Sequence, residues 1–478
     1  MIDVTTLSIA DARKKLDAKE FTAVELLDAC LENIKTKDGE IHALLEVFAD
    51  ARDMAVRADA MIAEGKSTLL TGIPIVLKDN MLYTGHTATA GSKILEGYVA
   101  PYDATVVVKL KEVGAVIVGR ANMDEFAMGS STEQSAYGAT KNPLDTSRVP
   151  GGSSGGSAAS VLSGMALASL GSDTGGSIRQ PAALCGLVGL KPTYGSVSRH
   201  GLIALGSSLD VIGPFGKTVT DVESVFKTIA GKDAMDSTTV DENDYTQSPK
   251  PKAQSSKKIG VPRKFLEEYT LRNDVQKNFD AALKKLAELG YELVDIELPL
   301  VKYSVPTYYV ILPAEASSNL ARFDGVKYGL HTEGADLIAD YFKTRGAGFG
   351  SEPRRRIMIG TYVLSSGYYD AYYNKANAVR RGITQDFKNA FTHCDVIITP
   401  TTAGPAFKLG SKVNDPVAMY LEDIFTVSSN HTGMPAMSIP SGTVEEDGVQ
   451  LPLGVQLIAP HMEEDRLFAV GKKFLGEE

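Results

Sequence analysis

Apolar residues along this chain follow a helical period near the start and alternate between helical and strand periods further on. Residues 22–34 and 50–64 repeat apolar positions at the spacing of an amphipathic helix. Short apolar runs at 72–77 and 115–119 then flank an amphipathic stretch at 104–113. Strands that alternate with helices pack as a sheet between helical layers, so the pattern predicts an α/β fold with one large mixed β-sheet covered by helices on both faces.

The second half of the chain continues this alternation. The pattern predicts strands at residues 291–298, 396–400 and 453–458, and an amphipathic helix at 274–289. Residues 365–391, whose first turns are rich in tyrosine, predict one long helix.

The chain is long for one hydrophobic core, but its pattern shows no division. Large α/β enzymes reach 478 residues as one unit, so we expect a single domain over residues 1–478. Residues 1–65 would form an N-terminal helical layer of that domain. Residues 231–257 are polar and rich in Ser, Lys, Asp and Pro, and we interpret them as a surface excursion because strand–helix alternation resumes after them.

Composition narrows the class of protein. With 43% hydrophobic and 23% charged residues the chain is an ordinary globular protein, and its net charge of −10 argues against direct, strong binding to nucleic acid. The three cysteines are widely spaced and form no metal-binding pattern. No apolar run has transmembrane length and the N-terminus lacks the build of a signal peptide, so we expect a cytoplasmic protein.

Two serine clusters bracketed by glycines are the most unusual feature of the sequence. Residues 151–157 are Gly-Gly-Ser-Ser-Gly-Gly-Ser and residues 171–177 are Gly-Ser-Asp-Thr-Gly-Gly-Ser, with small and apolar residues between them. The intervening stretch predicts a short buried helix followed by a buried strand. Because glycine lets another group approach the main chain closely, the two turns predict backbone N–H groups directed at a ligand.

Four familiar glycine- or serine-rich motifs fit these clusters only in part. A Gly/Ser linker would not be followed by buried elements, and a phosphate-binding P-loop ends in Gly-Lys-Ser/Thr. A nucleophile elbow fits residues 151–155 formally but needs a downstream His in a suitable turn. The triplet at 173–175 has no second copy, which an aspartic protease would need. A serine nucleophile without histidine remains.

Such a serine needs another base, and Lys78 is the candidate. It follows the apolar run at 72–77, and a lysine at the end of a buried strand has a lowered pKa because burial disfavours its charged form. The alternative is a side chain that extends to solvent, as most lysines do. Since neighbouring side chains of a strand point to opposite faces, we expect Asp79 to point away from the site of Lys78.

Residues 73–80 and 151–157, together with 171–182, resemble the motifs of the amidase signature family. The motifs are long and specific, and the separation of the two serine clusters also suits that family. The resemblance implies the family's fold and its triad of a serine, a second serine in a cis peptide and a lysine.

The resemblance also assigns roles. It implies that Ser177 is the nucleophile that forms the acyl-enzyme, that Ser153 is the bridging serine in the cis peptide, and that Lys78 is the base. Ser154 is the alternative to Ser153 as the bridge. Ser153 would then relay the proton between Ser177 and Lys78.

A tight turn before the nucleophile supplies a candidate oxyanion stabiliser. Thr174, Gly175 and Gly176 lead into a helix predicted to begin at about Ile178. Backbone N–H groups at a helix start have no partner within the helix and favour developing negative charge.

Further stretches resemble one group within this family, the glutaminase subunits of tRNA-dependent amidotransferases. The stretches are residues 122–129, 315–325 and 365–373. The resemblance implies that Arg356 binds the α-carboxylate of glutamine through its fork of donors, that Asp423 accepts the α-ammonium group, and that Tyr308 lines the site. Tyr309 is the alternative to Tyr308, and the two arginines before Arg356 fit a solvated basic face better.

The same resemblance implies a reaction shared with partners. Glutamine is hydrolysed through an ester of Ser177, and ammonia passes to a partner that amidates Glu-tRNA(Gln), or Asp-tRNA(Asn). B and C subunits complete a heterotrimer in which the partner holds most of the tRNA and uses ATP and Mg²⁺, so we expect no cofactor or metal in this chain. The alternatives are a stand-alone amidase of small or aryl amides and a catalytically silent scaffold.

Overall fold

The framework of the protein is one β-sheet. The computed structural model describes residues 2–241, 257–269, 271–412 and 415–477, and eleven strands within them join in the order β1-β3-β2-β4-β6-β5-β10-β11-β9-β7-β8. The strands are β1 Leu44–Val47, β2 Pro74–Lys78, β3 Val116–Ala121, β4 Ala168–Asp173, β5 Val188–Lys191, β6 Val211–Gly216, β7 Lys258–Val261, β8 Glu292–Asp295, β9 Val396–Pro400, β10 Ala436–Glu446 and β11 Val449–Ile458.

The sheet is mixed, as the alternating pattern predicts. Strand β2 is parallel to both of its neighbours, β3 and β4, and β7 is parallel to β8 and β9. The remaining pairs are antiparallel, including the long hairpin of β10 and β11. The parallel part around β2 brings the ends of β2 and β4 to the same edge.

Sixteen α-helices accompany the sheet in the described residues. They are α1 Ile9–Asp17, α2 Ala23–Ile41, α3 Ala51–Ala63, α4 Thr105–Glu112, α5 Gly155–Leu162, α6 Arg179–Cys185, α7 Val219–Ile229, α8 Arg263–Glu268, α9 Asn273–Glu288, α10 Ser304–Asn319, α11 Leu337–Gly348, α12 Ser351–Val363, α13 Lys375–Ala390, α14 Pro416–Tyr420, α15 Val427–Thr432 and α16 Glu464–Leu475. No helix among them is long and apolar enough to cross a membrane.

Helical layers bury both faces of the central strands. Every residue of β2, β4, β5, β6 and β9 is buried, although successive side chains of a strand point to opposite faces. The sheet is therefore covered on both sides, which confirms the predicted fold class.

The N-terminal segment is helical with one exception. Thr22 and Glu25 form a capping box at the start of α2, in which each side chain accepts a hydrogen bond from the other residue's backbone N–H. Residues 44–47 instead form β1, which pairs antiparallel with β3 at one end of the sheet. Four residues are too short for periodicity to separate from the surrounding helices.

The predicted helix over 365–391 is wrong in its first part. Helix α12 ends at Val363, and Gly367 adopts a φ of +85°, a left-handed conformation that interrupts a helix. A π-helical turn at Asp370–Asn374 then leads into α13. Tyr368 and Tyr369 precede this turn, Tyr372 and Tyr373 lie in it, and the first three are exposed.

Two further predictions concern strand β8 and the polar residues 231–257. The strand predicted at 291–298 is limited to β8, which lies at the end of the sheet and has exposed ends. Residues 231–241 of the predicted excursion form a partly exposed loop, whereas 242–256 lie outside the described residues.

Removal of the capping box should weaken the N-terminal layer. Thr22→Ala leaves the backbone N–H of Glu25, in the first turn of α2, without its side-chain acceptor, so the free energy of unfolding should fall by about 1 kcal/mol. Thr36→Ala, further along the same helix, removes only the contacts of its hydroxyl with the carbonyls of Glu32 and Asn33 and serves as the matched control. Chemical denaturation measures both, and an equal loss in the two variants would contradict the role of the cap.

Candidate active site

Lys78 is fully buried at the end of β2, where three serine hydroxyls surround its ammonium group. Its Nζ donates to Ser153 Oγ at 2.7 Å, to Ser154 Oγ at 2.8 Å and to Ser172 Oγ at 2.9 Å. The parallel pairing of β2 with β4 places Leu77 opposite Leu170, so Lys78 lies beside the second serine cluster. Three hydroxyls match the three donors of an ammonium group.

Burial lowers the pKa of Lys78 to about 7, against the opposing effect of three buried carboxylates, Asp124, Asp173 and Asp210. In the described part of the chain no carboxylate forms an ion pair with this lysine. Asp79, the next residue, instead accepts from Arg120 at 2.7 Å and from the backbone N–H of Thr89 and Gly91. The aspartate points away from the lysine, as strand geometry predicts.

Ser153 follows a cis peptide bond with Gly152. The Gly152 N–H donates to Gln180 Oε1 at 2.9 Å, and the amide of Gln180 donates to the carbonyl of Ser130 at 2.9 Å. The Ser153 carbonyl accepts from the N–H of Asp124 at 3.2 Å. Hydrogen bonds of the main chain before and after the Ser153 side chain thus fix its position, and its hydroxyl accepts from Lys78.

Ser177 differs from the other serines of the two clusters because it is partly accessible, with 8% of its surface exposed. Its hydroxyl makes no hydrogen bond to any residue that the structure describes, so the link between Ser153 and Ser177 is not formed here as a hydrogen bond. Hydrogen bonds of catalytic groups are often long in the absence of substrate and tighten when it binds. The structure therefore contains the Lys78–Ser153 half of the predicted relay.

The turn before Ser177 has free backbone donors. Across the described ranges, the N–H groups of Thr174, Gly175 and Gly176 meet no acceptor. The Thr174 hydroxyl donates to Asp210 at 2.7 Å. A Cβ added to Gly175 would lie 2.8 Å from the hydroxyl oxygen of Tyr308, so only glycine fits beneath that ring. These free N–H groups lie immediately before the nucleophile candidate.

The helix that follows Ser177 begins one residue later than expected. Helix α6 starts at Arg179, and the N–H of Ile178 donates to Asp173 Oδ2 at 3.1 Å. Burial opposes ionisation of Asp173, but the paired Arg179 guanidinium, at 2.9 Å, holds its pKa at about 2. This buried ion pair fixes the turn that carries Ser177.

Arg356 lies on α12 in an aromatic setting. Its Nε donates to Glu352 Oε1 at 2.7 Å, and its guanidinium lies 4.7 Å from the ring centre of Tyr309 and 4.8 Å from that of Tyr420. Because Glu352 accepts from Nε, the two terminal nitrogens of the Arg356 guanidinium still have N–H donors for another carboxylate. Tyr309, rather than Tyr308, contacts the arginine.

Asp423 lies near this arginine without an ion pair to it within the described residues. One of its oxygens accepts from Ser130 Oγ at 3.1 Å and the other from Tyr309 OH at 3.2 Å. Burial raises the pKa of Asp423 to about 7. A cationic group placed beside Asp423 would favour its charged form.

A small cavity of about 80 Å³ lies beside Arg356. Its lining includes Ser130, Gln134, Tyr309, Glu352, Arg356 and Tyr420. Hydrogen bonds of Gln180 join the cavity wall to the first serine cluster, because Gln180 bonds both Ser130 and Gly152. Among the residues described, no group of three or more His, Cys, Asp or Glu side chains is arranged to hold a metal ion.

Several residues of this site were not found from the sequence. Ser172 could have been identified from its place at the end of β4, next to β2. Glu352 could have been identified from its place four residues before Arg356, the spacing of an ion pair on one helix. Asp210 and Tyr420 contribute through contacts between distant segments and carry no local signal.

Comparisons with known proteins identify the family of the chain. The family model described as Amidase matches residues 25–468. The A subunit of glutamyl-tRNA(Gln) amidotransferase from Desulfatibacillum aliphaticivorans is 51% identical over 471 residues, which cover 98% of this chain and 96% of that protein.

Solved structures show the same fold. The crystal structure of the A subunit of glutamyl-tRNA(Gln) amidotransferase from Thermotoga maritima aligns with a TM-score of 0.79 at 42% identity, covering 99% of this chain and 95% of that one. A peptide amidase in complex with the competitive inhibitor chymostatin aligns with a TM-score of 0.83 at 29% identity, covering 99% of this chain and 97% of that one.

The fold and the match over most of the chain define an enzyme of amide hydrolysis, and the chain belongs to the amidase family. Within that family it shares about half of its residues with A subunits of glutamyl-tRNA(Gln) amidotransferase and fewer with a peptide amidase.

The pH dependence of amide hydrolysis should follow the charge on Lys78. The lysine accepts a proton only when neutral, and burial lowers its pKa to about 7. For an amide that lacks the ammonium group expected to bind Asp423, kcat/KM should therefore rise through that pH and fall roughly tenfold per pH unit below it. Lys191→Met is the matched control, because burial also lowers the pKa of Lys191 to about 7. A profile that is flat down to pH 5, or that moves in the control, would contradict the assignment.

Proposed function

We propose that this chain is the glutaminase subunit of a tRNA-dependent amidotransferase, and that it releases ammonia from glutamine through an ester of Ser177. The observation that carries the proposal is the buried Lys78, hydrogen-bonded to Ser153 and free of any carboxylate partner among the described residues. The similarity to A subunits over nearly the whole chain supports the choice of reaction.

The proposed chemistry begins with neutral Lys78. It takes the proton of Ser153, which takes the proton of Ser177 as Ser177 Oγ attacks the amide carbon of the glutamine side chain. The carbonyl oxygen becomes an oxyanion, for which Thr174, Gly175 and Gly176 supply N–H donors.

The proton taken up by Lys78 is then used to release ammonia, and water completes the reaction. It returns through Ser153 to the leaving nitrogen, ammonia departs, and the glutamyl ester remains on Ser177. Water attacks the ester with Lys78 again as the base, which releases glutamate and restores the serine.

Substrate recognition follows from the cavity beside Arg356. The free donors of Arg356 suit the α-carboxylate of glutamine, and Asp423 suits the α-ammonium group. Tyr308 lies over Gly175 and Tyr309 contacts both charged residues, so both tyrosines line the proposed site.

Partners follow from the relatives' names and not from any contact in this chain. We infer B and C subunits in a heterotrimer, with ATP and Mg²⁺ used by the partner that amidates Glu-tRNA(Gln) or Asp-tRNA(Asn). The net charge of −10 fits a division in which the partner holds the tRNA. The cytoplasm is the compartment of this reaction.

We also infer that residues 1–478 form one domain. Strand β1 near the N-terminus and β11 near the C-terminus belong to the same sheet. A division into independent domains would break that sheet.

A stand-alone amidase of small or aryl amides is the second candidate. The peptide amidase, with its TM-score of 0.83, favours it. Arg356 and Asp423 favour glutamine, because an amide without charged groups would leave Asp423 and the terminal nitrogens of Arg356 without a charged partner. Hydrolysis rates for glutamine and for aryl amides, measured without partner subunits, separate the two candidates.

Ser177→Ala should abolish ammonia release from glutamine, because no other group can form the ester. Amidation driven by added ammonium salt in the assembled complex should survive, since it needs no glutaminase step. Ser157→Ala is the control, because the Ser157 hydroxyl bonds only the carbonyl of Leu170 in the described chain. Loss of both activities in Ser177→Ala would show a structural role instead.

Arg356→Lys should raise the KM for glutamine about tenfold or more with a smaller change in kcat. A lysine supplies a point charge in place of a fork of donors and cannot keep the contacts of the guanidinium with Glu352 and both tyrosine rings. Arg354→Lys, on the exposed side of the same helix, should leave the KM unchanged. Steady-state kinetics measures both, and the opposite order of effects would place the carboxylate site elsewhere.

A further inference from the structure

Thr426 lies between the proposed ammonium site and the turn that carries Ser177. It is fully buried and comes three residues after Asp423, just before α15. Its hydroxyl is 2.6 Å from the carbonyl of Gly175 and 3.2 Å from that of Asp423. A hydroxyl has one proton to donate, and the shorter contact identifies Gly175 as the acceptor.

This contact fixes the orientation of one peptide group. In a planar trans peptide the carbonyl of one residue and the N–H of the next point in opposite directions. Since the Gly175 carbonyl is directed at Thr426, the Gly176 N–H is directed away from it. Gly176 has a φ of +143°, and a Cβ there would overlap the Thr426 hydroxyl, so this conformation and this approach both require glycine.

The backbone of Thr426 is itself held in place. Its N–H donates to the carbonyl of Asp423 at 3.1 Å, and its own carbonyl accepts from Arg179, the first residue of α6, at 2.8 Å. Both bonds use main-chain atoms of Thr426, the second one accepted from the guanidinium of Arg179, so neither depends on the threonine side chain. The hydroxyl alone reaches the glycine turn.

We propose that Thr426 is a positioning residue for the oxyanion turn: its hydroxyl holds the Gly175–Gly176 peptide group so that the Gly176 N–H faces an oxyanion formed on Ser177. The inference rests on the proposed nucleophile and adds a side chain whose hydroxyl bonds the turn and not Ser177. Without the hydroxyl, the Gly175 carbonyl would lose this buried donor and the peptide group could rotate.

The test compares Thr426→Val with Thr426→Ser. Valine keeps the volume and removes the donor, whereas serine keeps the donor. The valine variant should lower kcat for glutamine about tenfold to a hundredfold, and the serine variant should stay within about threefold of the unsubstituted chain. The KM should stay within about twofold in both, because the backbone bond to Asp423 is unchanged.

A second readout does not depend on glutamine as the substrate. The rate at which phenylmethanesulfonyl fluoride labels Ser177, followed by mass spectrometry, should fall in Thr426→Val and recover in Thr426→Ser. If the unsubstituted chain does not hydrolyse glutamine, the proposed function fails while the labelling rates still decide the role of Thr426. Thr426→Cys, with a weaker donor, should label at an intermediate rate and serves if the valine variant does not fold.

Three results would overturn the proposal. Thr426→Val could keep labelling within about twofold of the unsubstituted rate, or Thr426→Ser could be as slow as the valine variant. A higher KM with unchanged kcat would instead show that Thr426 acts on glutamine binding through Asp423.

Discussion

The burial of Lys78 is the constraint on which the site depends. An ammonium group away from water is costly unless it is well solvated by polar groups, and the chain supplies three serine hydroxyls in place of a carboxylate. An adjacent ion pair would hold the lysine in its charged form and prevent it from accepting a proton. The nearby buried aspartates are engaged elsewhere, Asp173 with Arg179 and Asp210 with Thr174.

The sheet is what makes this burial possible. Strand β2 lies between β3 and β4, is buried on both faces, and ends beside the second serine cluster. The two clusters flank the buried unit formed by α5 and β4 in the sequence. The unit brings them back to the same end, where the Ser154 N–H donates to the Ser177 carbonyl at 3.3 Å. The proposed recognition residues lie on other elements, Arg356 on α12 and Asp423 before α15.

Local patterns predicted most of the helices and strands, and the resemblance supplied the candidate catalytic residues. The capping box at Thr22 and the direction of Asp79 follow from rules that act within a few residues. The prediction of one helix over 365–391 was wrong because Gly367 adopts a left-handed conformation, which composition does not specify. Tyr420 could not be predicted, because it acts through a contact with Glu352, 68 positions away in sequence. Glu352 was missed although it lies four residues before Arg356 on the same helix, a spacing that favours an ion pair.

The pKa of Lys78 itself is the most direct test of the account. Protein labelled with ¹³C and ¹⁵N in its lysine side chains, with Lys78→Ala to assign the signal, would give the titration of this single ammonium group by NMR. We expect a midpoint near 7, because the lowering of the pKa by burial outweighs the raising by the three surrounding carboxylates. A midpoint close to that of an exposed lysine, roughly 10.4, would show that Lys78 stays charged at neutral pH and cannot be the base.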